Sequence, residues 1–234
     1  MQRIKILINS FYKNTQARQH LMRTMRDNKN YTDFQFIICT GGYTELSEYK
    51  ITKRKNVAFI KCPHNSIDFT GIITVIENQH DDLFNDGDYY FYIHDTCAAG
   101  GNFLSRVSDL DISNNPLSIP LLSRYSKNMG IYSNQLIMEH QKFVISRLKN
   151  TDNNLALKYK REGVSREDHL FRLPKLNWSS CLCTQEIMHE RACDYYKTGI
   201  LRDVFYYPSV DLYKMQANNP RLIKNPRQNA ILDL

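Results

Sequence analysis

"DYYFYIHDTC", residues 88–97, is the stretch that decides the fold. Its aromatic residues form a continuous apolar run, which is typical of a strand buried on both faces of a parallel sheet. The run ends in His94, Asp95 and Thr96. Burying an unpaired polar group costs roughly 2–7 kcal/mol, and burying an unpaired carboxylate costs more. Asp95 is therefore expected either at the exposed end of the strand or next to something positive.

The sequence before this stretch predicts three further strands and two helices. Apolar runs mark strands at residues 3–9, 34–40 and 56–62, and apolar residues at helical spacing mark helices at 15–28 and 66–80. The order β-α-β-β-α-β favours an α/β fold with a mostly parallel central sheet flanked by helices. In such sheets ligands bind beyond the carboxyl ends of the strands. We therefore expect a pocket along that edge.

The second part of the chain is less regular. A short strand is expected within 127–135 and a helix from about Asn134 onwards. A polar loop is expected at 151–166, a helix at 183–199 and an extended piece at 203–210. These elements extend the same domain in our interpretation, because no low-complexity linker separates them.

The length of 234 residues and the 42% hydrophobic content allow one large domain with a sizeable core. We interpret residues 1–215 as that domain, with a first half at 1–101 and a second half at 102–215, and residues 216–234 as a C-terminal tail. No apolar run reaches the roughly 18 residues that a membrane span needs. The six dispersed cysteines predict reduced core thiols of an intracellular protein.

The net charge of +7 favours anionic partners such as nucleotides, phosphorylated sugars, nucleic acid or an anionic membrane surface. The densest basic cluster, Lys50–Lys55, is interpreted as a solvated loop. No nucleic-acid partner is expected, because the aromatic residues lie mostly in strands that should be buried. A cluster of aspartates precedes the strand at the end of the sheet opposite to the expected pocket. We interpret it as a solvated loop as well: Asp81, Asp82, Asp86 and Asp88.

Three common phosphate-binding or catalytic motifs are missing from the sequence, namely G-x-x-x-x-G-K-[ST], G-x-G-x-x-G and G-x-S-x-G. The order of elements nevertheless resembles the nucleotide-binding half of a GT-A-type glycosyltransferase, in which the fourth strand ends in a short acidic motif. The resemblance covers roughly residues 3–172, and it extends to the compact glycosyltransferase domains of large DNA viruses. It implies a single Rossmann-like GT-A domain that transfers a sugar from a nucleotide-diphosphate donor.

The resemblance assigns roles to the strand ends. The family's Asp-x-Asp motif holds a divalent metal on the donor diphosphate, and the matching segment here is His94-Asp95-Thr96, with the first Asp replaced. Asp95 is thus the expected ligand of Mn²⁺ or Mg²⁺, hard cations that bind oxygen and stabilise a leaving diphosphate. The expected nucleotide-binding residues follow the strands: Asn9, Ser10, Phe11, Tyr12, Thr40, Gly41, Gly42, Tyr43, Asn65, His94 and Thr96.

Two later segments resemble further parts of the family. "SREDHLFR", residues 165–172, resembles a late acidic motif and makes Asp168 and Glu167 the candidate catalytic carboxylates, with Glu139 and Asp211 next in line. "KNMGIYSNQ", residues 127–135, resembles the acceptor-side strand and loop. The expected acceptor-binding residues come from that segment and from the single tryptophan: Asn128, Met129, Gly130 and Trp178.

Each assignment has a structural alternative. Asp95 could cap the turn that follows it, and His94 could be a structural residue rather than a ligand. Gly41-Gly42 could form only a tight turn, and Glu167-Asp168 could open a helix as acids favoured by its dipole. Trp178 could be buried in the core rather than stacked on a sugar.

The sequence as a whole predicts a hexosyl- or pentosyltransferase that acts on a glycan or glycoprotein acceptor with metal assistance. Its expected location is the cytoplasm, which would be the host cytoplasm for a viral protein. The alternative is a catalytically weak module that binds a sugar nucleotide or a glycan, because the Asp-x-Asp motif is degenerate.

Overall fold

The structure is a computed structural model that describes residues 4–110, 112, 129–155, 188–190 and 201–217. These residues form two compact units, each with its own sheet. The described part of the first unit comprises residues 4–12, 32–94, 112 and 129–155. The described part of the second comprises residues 13–31, 95–110, 188–190 and 201–217. The domain bounds expected from the sequence, 1–215 and 216–234, stay a prediction.

The strands and helices are numbered in chain order. The strands are β1 (Ile4–Phe11), β2 (Phe36–Gly41), β3 (Lys50–Arg54), β4 (Val57–Lys61), β5 (Tyr89–His94), β6 (Cys97–Ala99), β7 (Gly130–Ser133), β8 (Met188–Glu190), β9 (Leu201–Tyr207) and β10 (Leu212–Ala217). The helices are α1 (Thr15–Arg26), α2 (Thr70–Glu77), α3 (Phe103–Ser108), α4 (Asn134–Glu139) and α5 (Gln141–Leu148). Short 3-10 turns lie at Tyr31–Asp33 and Ile67–Phe69.

The first unit is built on a six-stranded sheet of order β3-β4-β2-β1-β5-β7. The four central strands, β4, β2, β1 and β5, run parallel to one another. The two edge strands, β3 and β7, are antiparallel to the strands beside them. This mixed α/β architecture with a mostly parallel central sheet and flanking helices confirms the fold class expected from the sequence. All residues of β2 and β5 are buried, which explains their continuous apolar sequences.

Helix α2 and the 3-10 turn before it correspond to the helix predicted at 66–80. Every α2 residue from Thr70 to Ile76 is buried, and α2 packs on β1 and β2 and against α4 and α5. The close packing depends on Gly71, because a Cβ there would lie 2.6 Å from the Tyr92 ring. The short strand and helix predicted around Asn134 are also confirmed as β7 and α4.

The basic segment Lys50–Lys55 is not a loop, and that interpretation was wrong. Its first five residues form β3, which pairs with β4 through a tight turn that begins at Lys55, with φ of 53°. Four of the five β3 residues are exposed. Charged residues are common on edge strands because they discourage pairing with another chain, so the lysine content that suggested a loop fits an edge strand equally well.

The aspartate cluster before β5 is only partly solvated. Asp88 is 3% exposed and forms an ion pair with Lys5 of β1, which is fully buried. Lys5 also donates to the carbonyl of Leu83, and the Asp88 carboxylate accepts from the backbone N–H of Asn85 at 2.9 Å. The solvated-loop interpretation was therefore wrong for Asp88, because a buried lysine on the neighbouring strand requires a carboxylate there.

The second unit contains a four-stranded antiparallel sheet of order β6-β10-β9-β8. Helix α1 buries one face against β6, and its buried residues include Ala17, Leu21 and Met25, at the spacing that predicted it. The extended piece predicted at 203–210 is confirmed as part of β9. The helix predicted at 183–199 was wrong at Met188–Glu190, which pairs with β9 as a strand.

Candidate functional site

The order of the parallel strands creates a switch point in the first unit. In chain order β2 and β4 add on one side of β1, whereas β5 adds on the other side. The crevice beyond the carboxyl ends of the two strands on either side of such a reversal is the usual ligand site of open α/β sheets. Asn9 near the end of β1 pairs in register with His94, the last residue of β5. The sheet therefore brings these two predicted site residues together.

Asn9 holds the start of α2. Its side-chain Oδ1 accepts from the backbone N–H of Gly71 at 3.0 Å, and its Nδ2 donates to the carbonyl of Ile67 at 2.8 Å. The side chain is 6% exposed. Asn9 thus fixes the backbone that borders the crevice, and no sequence pattern indicates this role.

Next to the switch point, three aromatic rings and a lysine form an aromatic cluster: Phe11, Tyr12, Tyr43 and Lys61. The ring centroids lie 4.6 Å apart for Phe11 and Tyr12 and 5.7 Å apart for Tyr12 and Tyr43. The Lys61 ammonium lies 5.1 Å from the centroid of the Tyr43 ring. All three rings are half-buried, and Lys61 is exposed. The cluster offers flat apolar faces next to a positive charge.

The glycine pair is required by both backbone and space. Gly42 has φ of 97°, a conformation that side chains disfavour, and a Cβ there would lie 2.6 Å from the rings of both Phe11 and Tyr12. A Cβ on Gly41 would lie 2.9 Å from Oγ1 of Thr70. The tight-turn alternative for this pair is thus correct about the backbone, and the same turn places Tyr43 in the aromatic cluster. The neighbouring predicted residues Ser10 and Thr40 are buried.

Asn65 belongs to a network of amides. Its Nδ2 donates to Oδ1 of Asn153 at 2.9 Å, and its backbone N–H donates to the carbonyl of Asn150 at 2.7 Å. Asn153 Nδ2 in turn donates to the carbonyl of Gly42 and to Oγ1 of Thr44, both at 3.1 Å. The segment after α5 is thereby fastened to the turn after β2. This network was not predicted from the sequence, although asparagine side chains often form hydrogen bonds to the backbone.

A second hydrogen-bond network joins Tyr49, Glu77, His64 and Ser66. The Tyr49 hydroxyl donates to Glu77 at 2.6 Å, so its oxygen accepts from Nε2 of His64 at 2.9 Å. Nδ1 of His64 then accepts from the Ser66 hydroxyl at 2.8 Å. Burial, together with the nearby charge of Lys149, lowers the pKa of His64 to about 4 despite the charge on Glu77. His64 is therefore neutral at pH 7, with its proton on Nε2.

His94 is buried at the end of β5. Its Nδ1 lies 3.8 Å from the carboxylate of Asp68, and its ring packs edge-on against Tyr92 at 5.9 Å between centroids. Tyr92 donates to the backbone carbonyl of Asp68 at 2.7 Å. These contacts favour the structural alternative for His94, since the ring is held by its neighbours within the first unit.

Asp95 and Thr96 come next in the chain and belong to the second unit. Asp95 is 4% exposed. The ammonium of Lys214 on β10 donates to Oγ1 of Thr96. The sequence analysis missed this cation, because the pairing of β10 with β6 joins residues far apart in sequence.

Few of the described side chains are placed to bind a metal ion. Among the described residues, no group of three or more His, Cys, Asp or Glu side chains is placed to hold a metal ion. Asp95 is a hard oxygen ligand of the type that Mn²⁺ and Mg²⁺ take, but Mg²⁺ sites with one or two carboxylates usually complete their coordination with substrate phosphates and water. The described residues therefore contain one predicted metal ligand, Asp95, and no preformed group of three or more ligands.

Asp211, one of the two further candidate carboxylates, has structural contacts in the second unit. It accepts from the backbone N–H of Asn102 and from the Tyr206 hydroxyl, both at 2.9 Å, and its backbone φ is 55°. A Cβ on Gly100 would lie 2.1 Å from its carboxylate. The other further candidate, Glu139, is exposed at the end of α4, and its carboxylate accepts a hydrogen bond from the Gln135 side chain at 3.0 Å.

Several predicted site residues lie outside the described part of the chain, namely Asn128, Glu167, Asp168 and Trp178. Two predicted acceptor residues are described. Met129 is 2% exposed, and Gly130 begins β7 opposite Tyr92. Their predicted roles stay predictions.

No family model matches the chain. No curated protein sequence matches it either. Among solved structures, an active-site mutant of LgtC, a GT-A glycosyltransferase, is similar with a TM-score of 0.39 and 13% identity, over 65% of this chain and 69% of that chain. At this TM-score the likeness carries no conclusion about activity. Within the described residues, no helix is long and apolar enough to cross a membrane.

Proposed function

We propose that the chain transfers a hexosyl or pentosyl group from a nucleotide-diphosphate donor to a glycan or glycoprotein acceptor. The observation that carries the proposal is the switch point between β1 and β5, with the aromatic cluster beside it. Open α/β sheets bind nucleotides at such points. The resemblance of His94-Asp95-Thr96 to the family's acidic motif supports a diphosphate in the donor.

The base and ribose of the donor bind along the carboxyl ends of β1 and β2. Tyr43 or Phe11 stacks on the base, because their rings are half-buried and flat faces are the sequence-tolerant way to hold a base. Lys61 supplies positive charge at that edge. Asn9 and Asn65 act through the backbone that their amides fix.

Asp95 is the proposed ligand of Mn²⁺ or Mg²⁺, bound together with the donor diphosphate. When bound, the metal supplies stabilisation of the negative charge on the leaving diphosphate. Lys214 donates to Oγ1 of Thr96, the residue that follows Asp95, and is a second source of positive charge there. Both are compatible with the chemistry that a leaving diphosphate needs.

Asp168 or Glu167 is proposed to face the reacting sugar, and Asn128, Met129, Gly130 and Trp178 to contact the acceptor. These roles come from the sequence resemblance. The cytoplasmic location and the likeness to viral enzymes likewise stay predictions from the sequence.

A binding module without catalysis is the second candidate. It is favoured by the replaced first residue of the acidic motif and by the absence of a three-residue metal cluster among the described residues. Such a module would keep the nucleotide site at the switch point and lack turnover.

The test combines binding and turnover. Melting temperature is measured with UDP, GDP, ADP and CDP, each in Mn²⁺ and in EDTA. A ligand at a hundredfold excess over its dissociation constant stabilises the fold by about 2.7 kcal/mol. We expect one nucleotide to stabilise the protein more in Mn²⁺ and to lose this effect in Tyr43→Ala, but not in the control Phe143→Ala on α5.

Release of nucleotide diphosphate from the matching sugar nucleotide then decides between the two candidates. Turnover that falls strongly in Asp95→Asn supports the transferase. Nucleotide binding without turnover supports the binding module. Stabilisation by none of the nucleotides overturns both.

A further inference from the structure

We propose that the outer face of the β3–β4 hairpin binds single-stranded nucleic acid. This surface, the basic face, consists of Lys50, Thr52 and Arg54 on β3 with Phe59 and Lys61 on β4. Lys50 pairs with Lys61, and Thr52 pairs with Phe59. Directly paired residues of an antiparallel ladder project from the same side of the sheet, so all five side chains share one face.

The basic face is exposed where the rest of the sheet is not. Phe59 is 37% exposed, although its partner on β2, Ile38, is fully buried. The opposite face of the hairpin is partly or fully covered, since Ile51 is half-buried and Ile60 is 1% exposed. The sequence analysis excluded nucleic acid because strand aromatics should be buried, and Phe59 departs from that expectation.

The charge of the basic face is not neutralised within the described residues. Among those residues, the side chains of Lys50 and Arg54 take part in no hydrogen bond or ion pair, and the Lys61 ammonium has no ion pair and lies near the Tyr43 ring. Lys53 points to the other side of the hairpin and pairs with Asp81 and Asp82. No acidic residue occurs in the sequence from residue 49 to residue 67.

The spacing suits an unpaired strand. Same-face residues on a strand recur every ~6.8 Å, so Lys50 and Arg54 lie about 14 Å apart along β3 with Thr52 between them. Phe59 lies across from Thr52, between the two cations. An aromatic ring on an open sheet stacks on a base, while flanking cations neutralise phosphates. An anionic membrane is less well matched, because a single ring lying on a flat sheet offers little apolar area to insert.

The experiment measures anisotropy of a labelled single-stranded oligouridylate with the full chain over a series of KCl concentrations. Phe59→Ala should weaken binding roughly tenfold through lost stacking and leave the salt dependence unchanged. Lys50→Gln with Arg54→Gln should reduce the slope of log K against log salt by about 1.4, at about 0.7 per phosphate contact. The matched controls on α5, Phe143→Ala and Lys142→Gln, should change neither, since Phe143 is 41% exposed and Lys142 is exposed.

Three outcomes would overturn the proposal. The first is an equal loss of oligonucleotide affinity in Phe59→Ala and Phe143→Ala. The second is equal affinity for a duplex of the same length. The third is Phe59-dependent binding to vesicles of equimolar phosphatidylcholine and phosphatidylserine without binding of the oligonucleotide. Melting temperature with the nucleotide diphosphates should be the same for Phe59→Ala and the parent chain, which separates the basic face from the site at the switch point.

Discussion

The two ends of the first unit's sheet differ in whether their lysines form ion pairs. At the amino end, Lys5 and Lys53 are each paired with aspartates, Lys5 in complete burial and Lys53 at the surface. At the carboxyl end, Lys50 and Lys61 have no ion pair within the described residues. Of these four lysines, the two at the amino end are thus neutralised by aspartates, and the two at the carboxyl end are not.

This difference separates charge that is paired within the protein from charge that is exposed to solvent. A buried partner makes a lysine essential to the fold, because removing either member of the pair leaves a buried charge uncompensated. A lysine without one contributes little to stability and remains available for an anionic ligand. The two ends can therefore be tested by asking which substitutions unfold the protein and which only weaken binding.

The largest effect is expected at the amino end. Lys5→Met should lower the free energy of unfolding by about 3–5 kcal/mol, because Asp88 is left buried without its partner. Urea denaturation followed by circular dichroism measures the change. The double variant Lys5→Met, Asp88→Leu should recover most of the loss, and Lys53→Met, at an exposed pair, should barely shift the midpoint. Equal effects of Lys5→Met and Lys53→Met would remove the distinction between buried and exposed pairs.

A pH-dependent loss is expected at the carboxyl end. His64 has a pKa of about 4 in the fold and about 6.5 when unfolded, so the unfolded state binds its proton first as the pH falls. Stability should therefore drop by roughly 3 kcal/mol between pH 6.5 and pH 4, and this contribution should be constant below pH 4. Urea unfolding at several pH values is compared with His64→Gln, which should show a shallower fall. Parallel curves would mean that His64 is not held neutral.

A smaller loss is expected from Asn9→Ala. The change leaves the buried N–H of Gly71 and carbonyl of Ile67 without the amide that binds them, which should cost about 2 kcal/mol. Nucleotide affinity of the folded fraction should change less than in Tyr43→Ala, because Asn9 acts through the backbone. The exposed Asn85 at the amino end gives the control Asn85→Ala. A stable Asn9→Ala protein that no longer binds nucleotide would instead place the Asn9 amide in direct contact with the ligand.

The sequence by itself determined the elements whose local pattern has one meaning. Runs buried on both faces, such as β2 and β5, and the apolar stripe of α1 identify strand and helix without knowledge of their neighbours. Because parallel strands end at one edge, the same patterns also predict that Asn9, Tyr43 and His94 lie at that edge.

Only the tertiary structure decided what those side chains contact. Lys5 and Asp88 are 83 residues apart in sequence, and neither residue indicates the other by itself. β3 and β8 were missed because a short strand becomes recognisable only through the strand beside it. The roles of Asn9 and Asn65 in holding backbone, and the exposure of Phe59, follow from which surfaces the packed elements cover, which is a non-local property that no sequence window contains.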